Sequence, residues 1–430
     1  MNTPEEAARC SGTTTPVALS TKPDLSREAV PGEKVALAPG QLQMRPSRRG
    51  KPPVHLADLT LAERKAALEE MGLPGYRAKQ LSVHYFEHFT TDPDDLTDLP
   101  KDRRQELVDR FFPPLLTQVS RQSADHGATQ KFLWKLFDGP MVESVLMRYS
   151  DRNTLCISSE AGCGMNCPFC ATGQMGLTRN LSTAEILEQV RIANRMLARG
   201  ELPGGTGRVN NIVFMGMGEP LANYRPVATV CKRLNAPAPE GFGMGARHIT
   251  VSTVGLASAV RKLTAEKIPV TLAVSLHAPD DELRNELVPI NTRFDVDEIL
   301  DAAWDYFQTT GRRVSIEYAL IRDINDQAHR AQLLADRLIA QGGAHWVHVN
   351  PIPLNPVKGS KWTASDPMVE KRFVEILRDN GISATIRDTR GSDIDGACGQ
   401  LAAEVIESDD HRMDREARVA RVEAIAAATD

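Results

Sequence analysis

Three cysteines, Cys163, Cys167 and Cys170, stand in a CxxxCxxC spacing within AGCGMNCPFCATG, residues 161–173. Thiolates are soft ligands that suit zinc or an iron–sulfur cluster. Structural zinc sites ordinarily pair one CxxC with a second, or with a pair of histidines. No second pair is present here. A four-iron cubane held by only three cysteines keeps one iron open to a further ligand. The spacing, with Phe169 just before the last cysteine, points to such a cluster. A degenerate zinc site or buried free thiols are the bland alternatives.

The elements that must position these residues are legible in the pattern. From residue 153 onward, runs rich in β-branched residues alternate with helical stretches: NTLCISSE, NNIVFMG, HITVSTVG, VTLAVSLH, RVSIEYALI and WVHVNPIPL, with ISATIRD as a shorter seventh. TAEILEQVRIANRMLARG and VDEILDAAWDYFQTTG are two of the intervening helices. This alternation predicts an α/β fold with a parallel sheet, a partial (β/α)6 barrel over 151–403, or else a doubly wound sheet. In the barrel, the cysteine loop leaves the first strand at the C-terminal face, where barrel enzymes place their active sites. TQKFLWKLFDGPMVESVLMRY predicts a β-hairpin, 126–150, turning at Asp138-Gly139. Residues 49–125 predict a small helical accessory domain, with Thr60 and Glu63 as a capping box and Gly72 as a stop. Residues 1–48 have the composition of a disordered arm, and 404–430 that of an exposed helical tail.

Composition narrows the classes. The chain has 430 residues, 41% hydrophobic and 25% charged, with a formal net charge of −5. No apolar run is long enough to span a membrane, and the first residues lack the features of a signal peptide. A cytoplasmic protein is expected. Seven cysteines clustered by motif in so long a chain suggest metal or catalytic use rather than a disulfide scaffold. The mild negative charge disfavours a whole-surface nucleic-acid binder but leaves room for a local basic patch.

Four cysteines lie outside the motif. Cys10 and Cys231 read as bland thiols. Cys156 lies on the first strand. Cys398 sits in TRGSDIDGACGQL, a glycine-rich loop that admits a bulky partner close to the sulfur.

CGMNCPFC resembles the radical S-adenosylmethionine (SAM) superfamily. That resemblance implies a [4Fe-4S] cluster on Cys163, Cys167 and Cys170, with SAM on the open iron. Later segments then fit a SAM pocket: Gly218 and Glu219 in GMGEP, Ser252 in STVG, Ser275, Leu276 and His277 in SLHAP, and Asn355 in LNPVKG. Gly218 would let the backbone approach closely, and the Glu219 carboxylate would take the SAM amino group. Each alone is an ordinary turn former; their joint placement on one rim argues for a ligand.

The resemblance is closer still. TLCISSEAGCGMNCPFCATGQMG, FMGMGEPLANY, SLHAPDDELRNELVPIN and TRGSDIDGACGQLA together are similar to the bacterial dual-specificity RNA methyltransferases, over roughly residues 50–405. That family methylates C2 of an adenosine in 23S rRNA and of the adenosine 3′ to the anticodon in tRNAs. The resemblance implies Cys398 as methyl carrier, Cys156 as the thiol that releases product through a transient disulfide, and Glu143 as general base. Glu143 by itself reads as an exposed strand carboxylate. Also implied are 23S rRNA and tRNA as partners, a reducing electron donor such as flavodoxin or ferredoxin, and a monomer. The accessory domain, with RRGK at 48–51 and with Arg77, Lys79, Arg103 and Arg104, is a candidate for further RNA contact. A C8-methylating relative and a non-enzymatic iron–sulfur protein are the competing readings.

Overall fold

The computed structural model describes Leu42, Met44 and residues 52–402 other than 356, 358, 359, 388 and 389. The expected arm, Cys10, RRGK and the tail from 404 lie outside the described residues.

The chain opens with short helices. Leu61–Glu70 begins where Thr60 accepts from the Glu63 N–H while the Glu63 side chain accepts from the Thr60 N–H. Helices Arg77–Phe86 and Arg104–Phe111 follow. Among the described residues, twelve strands come next in chain order. Strands β1 (Leu116–Ala124), β2 (Thr129–Leu136) and β3 (Met141–Arg148) form an antiparallel meander. The remaining strands are β4 (Asn153–Cys156), β5 (Glu160–Ala161), β6 (Arg179–Asn180), β7 (Asn211–Phe214), β8 (Ile249–Thr253), β9 (Thr271–Ser275), β10 (Val314–Leu320), β11 (Val347–Pro353) and β12 (Ser383–Ala384).

One sheet carries ten strands in the order β1-β2-β3-β4-β7-β8-β9-β10-β11-β12, and β5 pairs separately with β6. From β4 to β12 the neighbours are parallel and strictly sequential. A doubly wound sheet reverses its order at a switch point, so the sequential order selects the partial barrel. The hairpin does not stand apart, because β3 pairs with β4 and extends the barrel sheet. One feature departs from the sequence reading: Leu116–Ala124, placed in the helical segment, is a strand. Its polar run LTQVSRQSA leaves most of one edge exposed and so lacks the apolar alternation that marks a half-buried strand. ISATIRD supplies only the two-residue β12.

A single apolar core runs from Leu56, Leu81 and Phe111 of the helical segment through the barrel strands. A second, smaller cluster lies under the cysteine loop and gathers Cys163, Cys167, Phe169, Leu283, Leu287 and Ile321.

Candidate active site

The cysteine loop leaves β4 at the C-terminal end of the barrel. Its entry needs Gly162, where φ is +77° and a Cβ would fall 2.0 Å from the Gly176 carbonyl oxygen. Asn166 takes a left-handed conformation, which its short polar side chain tolerates. The pairing of β5 with β6 closes the loop's base. Arg179 then bonds bidentately to Asp138 of the hairpin turn and to Glu185 of helix Thr183–Ala198. Hairpin, cysteine loop and first barrel helix are thereby locked together.

Cys163, Cys167 and Cys170 line one cavity that is open to solvent. The same cavity is lined by Gly218, Glu219, Ser252, Ser275, His277, Asn355 and Cys398. Every expected SAM-pocket residue except Leu276 is brought to it. Leu276 is fully buried and contributes backbone instead, its N–H donating to the Glu317 carbonyl. A second cavity of about 500 Å³ adjoins the first. It is lined by Cys156, Tyr149 and Arg390, and shares Cys398, Arg387 and Met215 with the first cavity. Cys398 thus stands at the wall between the two. Its loop is held by Asn355 Nδ2 donating to the Cys398 carbonyl (2.9 Å) and by the Ala171 N–H donating to the Gly399 carbonyl (2.8 Å).

Glu143 lines neither cavity. It is buried, not exposed as its strand position alone suggested, and pairs with Lys131 Nζ at 3.3 Å. Lys131 also donates to the Asp395 carbonyl of the Cys398 loop. Val145 on the same face of β3 is in register with Cys156. The carboxylate is therefore coupled to the Cys398 loop through Lys131.

Electrostatics tests what the first cavity could hold. Burial pushes the Cys163, Cys167 and Cys170 thiols upward, so an added positive centre is what would deprotonate them. Among the described residues no three His, Cys, Asp or Glu side chains converge on one point as a single metal ion requires. Three separated thiols around a common cavity fit a multi-iron cluster. Gly218 (φ +103°) brings the GMGEP backbone against Glu160, whose Cβ would lie 2.5 Å from a Cβ added there. The Glu219 N–H donates to Glu160 Oε2 at 2.8 Å. The Glu219 carboxylate accepts from the N–H groups of Leu221 and Val254. Burial raises Glu219 to about 7 and Glu160 to about 8. Among the described residues, Glu160 Oε1 is buried with no hydrogen-bond partner. Two buried carboxyls without a cation suit an ammonium group, such as that of SAM. His277 accepts from the Ala319 N–H through Nδ1 (3.0 Å), and burial holds the ring neutral, down to about 3. Its Nε2–H is the remaining donor.

Sequence reasoning missed Glu317 and Arg387. Glu317 is buried, accepting from Ser315 Oγ (2.6 Å), Asn350 Nδ2 (2.8 Å) and Arg387 Nη1 (3.3 Å). A lone acid inside the apolar strand RVSIEYALI was its signal. Arg387 is held charged chiefly by the neighbouring Cys398 and lines both cavities. The guanidinium groups of Arg152 and Arg390 lie 4.2 Å and 4.4 Å from the Tyr149 ring centroid. In the helical segment, Arg77, Arg103 and Arg104 spend donors on the turn carbonyls of Asp98, Met71, Leu99 and Thr97, while Lys79 is exposed.

A sequential partial barrel with three cysteines after its first strand defines a radical SAM enzyme. Residues 157–334 match the Radical SAM superfamily. The crystal structure of a radical SAM methyltransferase from Sphaerobacter thermophilus superposes with a TM-score of 0.77 at 44% identity, covering 82% of this chain and 100% of that one. A probable dual-specificity RNA methyltransferase RlmN from Nocardioides sp. is 64% identical over 358 residues, 83% of this chain and 95% of its own. Its counterpart in Kocuria rhizophila is 60% identical over 395 residues, 91% and 100% of the two chains. The chain belongs to the RlmN family of radical SAM dual-specificity RNA methyltransferases.

Proposed function

We propose that the chain methylates C2 of adenosine in 23S rRNA and of the adenosine 3′ to the anticodon in tRNAs, using two SAM molecules per turnover. The observation that carries this reading is the placement of Cys398 between a cavity walled by three cysteines and one walled by Cys156. C2 of adenine is an electron-poor carbon without a lone pair, so direct polar transfer from SAM has no nucleophile to use. Cys163, Cys167 and Cys170 would hold the [4Fe-4S] cluster, and Glu160, Glu219 and His277 the polar groups of SAM. Cluster and SAM together supply, when bound, the one-electron chemistry that removes hydrogen from a methyl group.

The chain's own residues do the rest. Cys398 as a thiolate first accepts a methyl group from SAM. Arg387 lines the same two cavities beside it. The methyl carbon on Cys398, once relieved of hydrogen, joins C2 of a base displaced from its stack. Tyr149 and Arg390 line the second cavity, where that base would be held. Glu143 takes the C2 proton. As that proton leaves, the adduct gives up its one unpaired electron, which the one-electron centre in the first cavity would accept. Cys156 then attacks the Cys398 sulfur, closing a disulfide while the sulfur–carbon bonding pair stays on the methylene carbon, which takes a proton to become the new methyl group. Burial holds the Cys156 thiol up at about 12, which keeps it protonated until the site changes. A reducing cytoplasm reopens the disulfide, and a flavodoxin or ferredoxin supplies electrons.

The modified nucleoside decides the reading. RNA from a deletion strain, digested and analysed by mass spectrometry, should lack 2-methyladenosine. The wild-type gene should restore it and Cys398→Ala should not, although the purified variant still binds the cluster. Retained 2-methyladenosine in the deletion strain would overturn the proposal, and loss of 8-methyladenosine instead would assign the C8 chemistry.

A further inference from the structure

The helix Asp281–Leu287 packs Leu283 and Leu287 into the buried cluster that contains Cys163, Cys167 and Phe169. Between them in sequence is Arg284, which has no exposed surface. Its guanidinium donates through Nε to the Leu276 carbonyl (2.9 Å), through Nη1 to Asn291 Oδ1, and through Nη2 to the carbonyls of Val254 and Ser275. All four acceptors are neutral. Asp281, the acid whose charge reaches it, gives Oδ1 to Asn291 Nδ2 and the Val296 N–H. A buried cation with only neutral partners is costly unless an anion lies nearby.

The location says where that anion belongs. Val254 and Ser275 line the cavity of the three cysteines, so the guanidinium sits one carbonyl behind its wall. The helix of Arg284 shares the buried cluster of Cys163 and Cys167, so the charge lies close to the cysteine loop. Glu219 spends its Oε2 on the Val254 N–H, and among the described residues no carboxylate bonds directly to the guanidinium.

We propose that Arg284 is a positioning residue that provides the fixed counter-charge for the cysteine-held cluster and so favours the cluster's reduced state. This rests on the reading that Cys163, Cys167 and Cys170 hold a [4Fe-4S] cluster. Three thiolates give such a cluster net negative charge even when oxidised, and one further electron adds to it. A fixed cation in a low-dielectric wall stabilises the reduced form more than the oxidised one and raises the reduction potential.

The test compares wild type, Arg284→Gln and Arg284→Lys, reconstituted anaerobically with iron and sulfide. The cluster is titrated with dithionite and the reduced form is followed by electron paramagnetic resonance. The midpoint potential should be more negative in Arg284→Gln and close to wild type in Arg284→Lys. Loading the cluster should raise the melting temperature of the wild type more than that of Arg284→Gln. Coincident potentials for wild type and Arg284→Gln would overturn the assignment. Should Arg284→Gln fail to fold, Arg284→Lys decides. It keeps the charge and loses the fork, so its cluster-free form should melt lower while its potential holds. A potential displaced along with the melting temperature would reduce Arg284 to a packing role. If the wild type takes up no four-iron cluster, the cluster reading falls; if it does and the potentials agree, only the role of Arg284 falls.

Discussion

The chemistry divides among thiols by environment. Three sit around one cavity, and Cys156 reaches Cys398 only from the neighbouring one. Replacing Cys156 by Ala should therefore leave methyl loading of Cys398 intact and trap the RNA covalently on the protein. Denaturing gels of anaerobic reactions with labelled RNA would show the adduct, and an adduct-free Cys156→Ala reaction would speak against the resolving role. The two buried carboxyls make a second prediction. Glu160 and Glu219 are held near 8 and 7 in the folded chain, against an ordinary value of 4.5. Between those values the folded state binds more protons than the unfolded one, so stability falls as pH rises. The buried imidazoles His55 and His277, held near 4 and 3, act in the opposite sense, but their contribution is complete above the ordinary imidazole value of 6.5. Cluster-free protein should thus lose stability from about pH 6.5 to 8, by on the order of 1–2 kcal/mol. Glu160→Gln should flatten the slope in thermal melts, and an unchanged slope would contradict the assignment.

At the scale of elements, the site is a rim built from strand ends. β7 delivers GMGEP, β9 delivers SLHAP, and the loop beyond β11 delivers Asn355. What makes the GMGEP turn a binding loop is the contact of Gly218 with Glu160 in a backbone conformation that a side chain resists. Gly218→Ala combines that strain with a clash, so a stability loss of roughly 1–3 kcal/mol is expected. SAM affinity should fall at least about tenfold, since about 1.4 kcal/mol of lost positioning already accounts for that factor. Equilibrium dialysis of SAM against the cluster-loaded variant measures it, and wild-type affinity would show the loop to be tolerant. The Asp138-Gly139 turn was readable because two apolar runs flank it. Its anchoring by Arg179 was not, since 41 residues separate Asp138 from its partner.

For the whole molecule, the helical segment is part of the same core as the barrel. Arg191 of helix Thr183–Ala198 donates twice to Glu188 and once to the Phe89 carbonyl, with His55 beside Glu188. Arg64 donates to the Pro239 carbonyl across the same boundary, and Asp58 Oδ1 accepts from the Ala184 N–H. Breaking a buried pair from one side typically costs about 3–5 kcal/mol. Arg191→Ala should therefore lower the melting temperature of one cooperative transition covering both parts. Calorimetry that resolved a separate low-temperature transition for the helical segment would refute this coupling. The same bonds hold that segment in one orientation beside the barrel. No helix among the described residues is long and apolar enough to cross a membrane.

The amino-acid sequence by itself determined the alternation of strands and helices from residue 153 onward, the capping box at Thr60, the hairpin turn and the cysteine spacing. These are local: they depend on side-chain periodicity, on backbone freedom and on ligands a few residues apart. It also marked most of the cavity rim, because every barrel strand ends on the same face. Only the tertiary structure decided that Cys398 lines two cavities, that Glu143 pairs with Lys131, that Glu317 and Arg387 line the cysteine cavity, and that Arg284 lies behind its wall. Those facts join residues from distant strands and loops, and a buried charge declares its purpose only once its neighbours are in place.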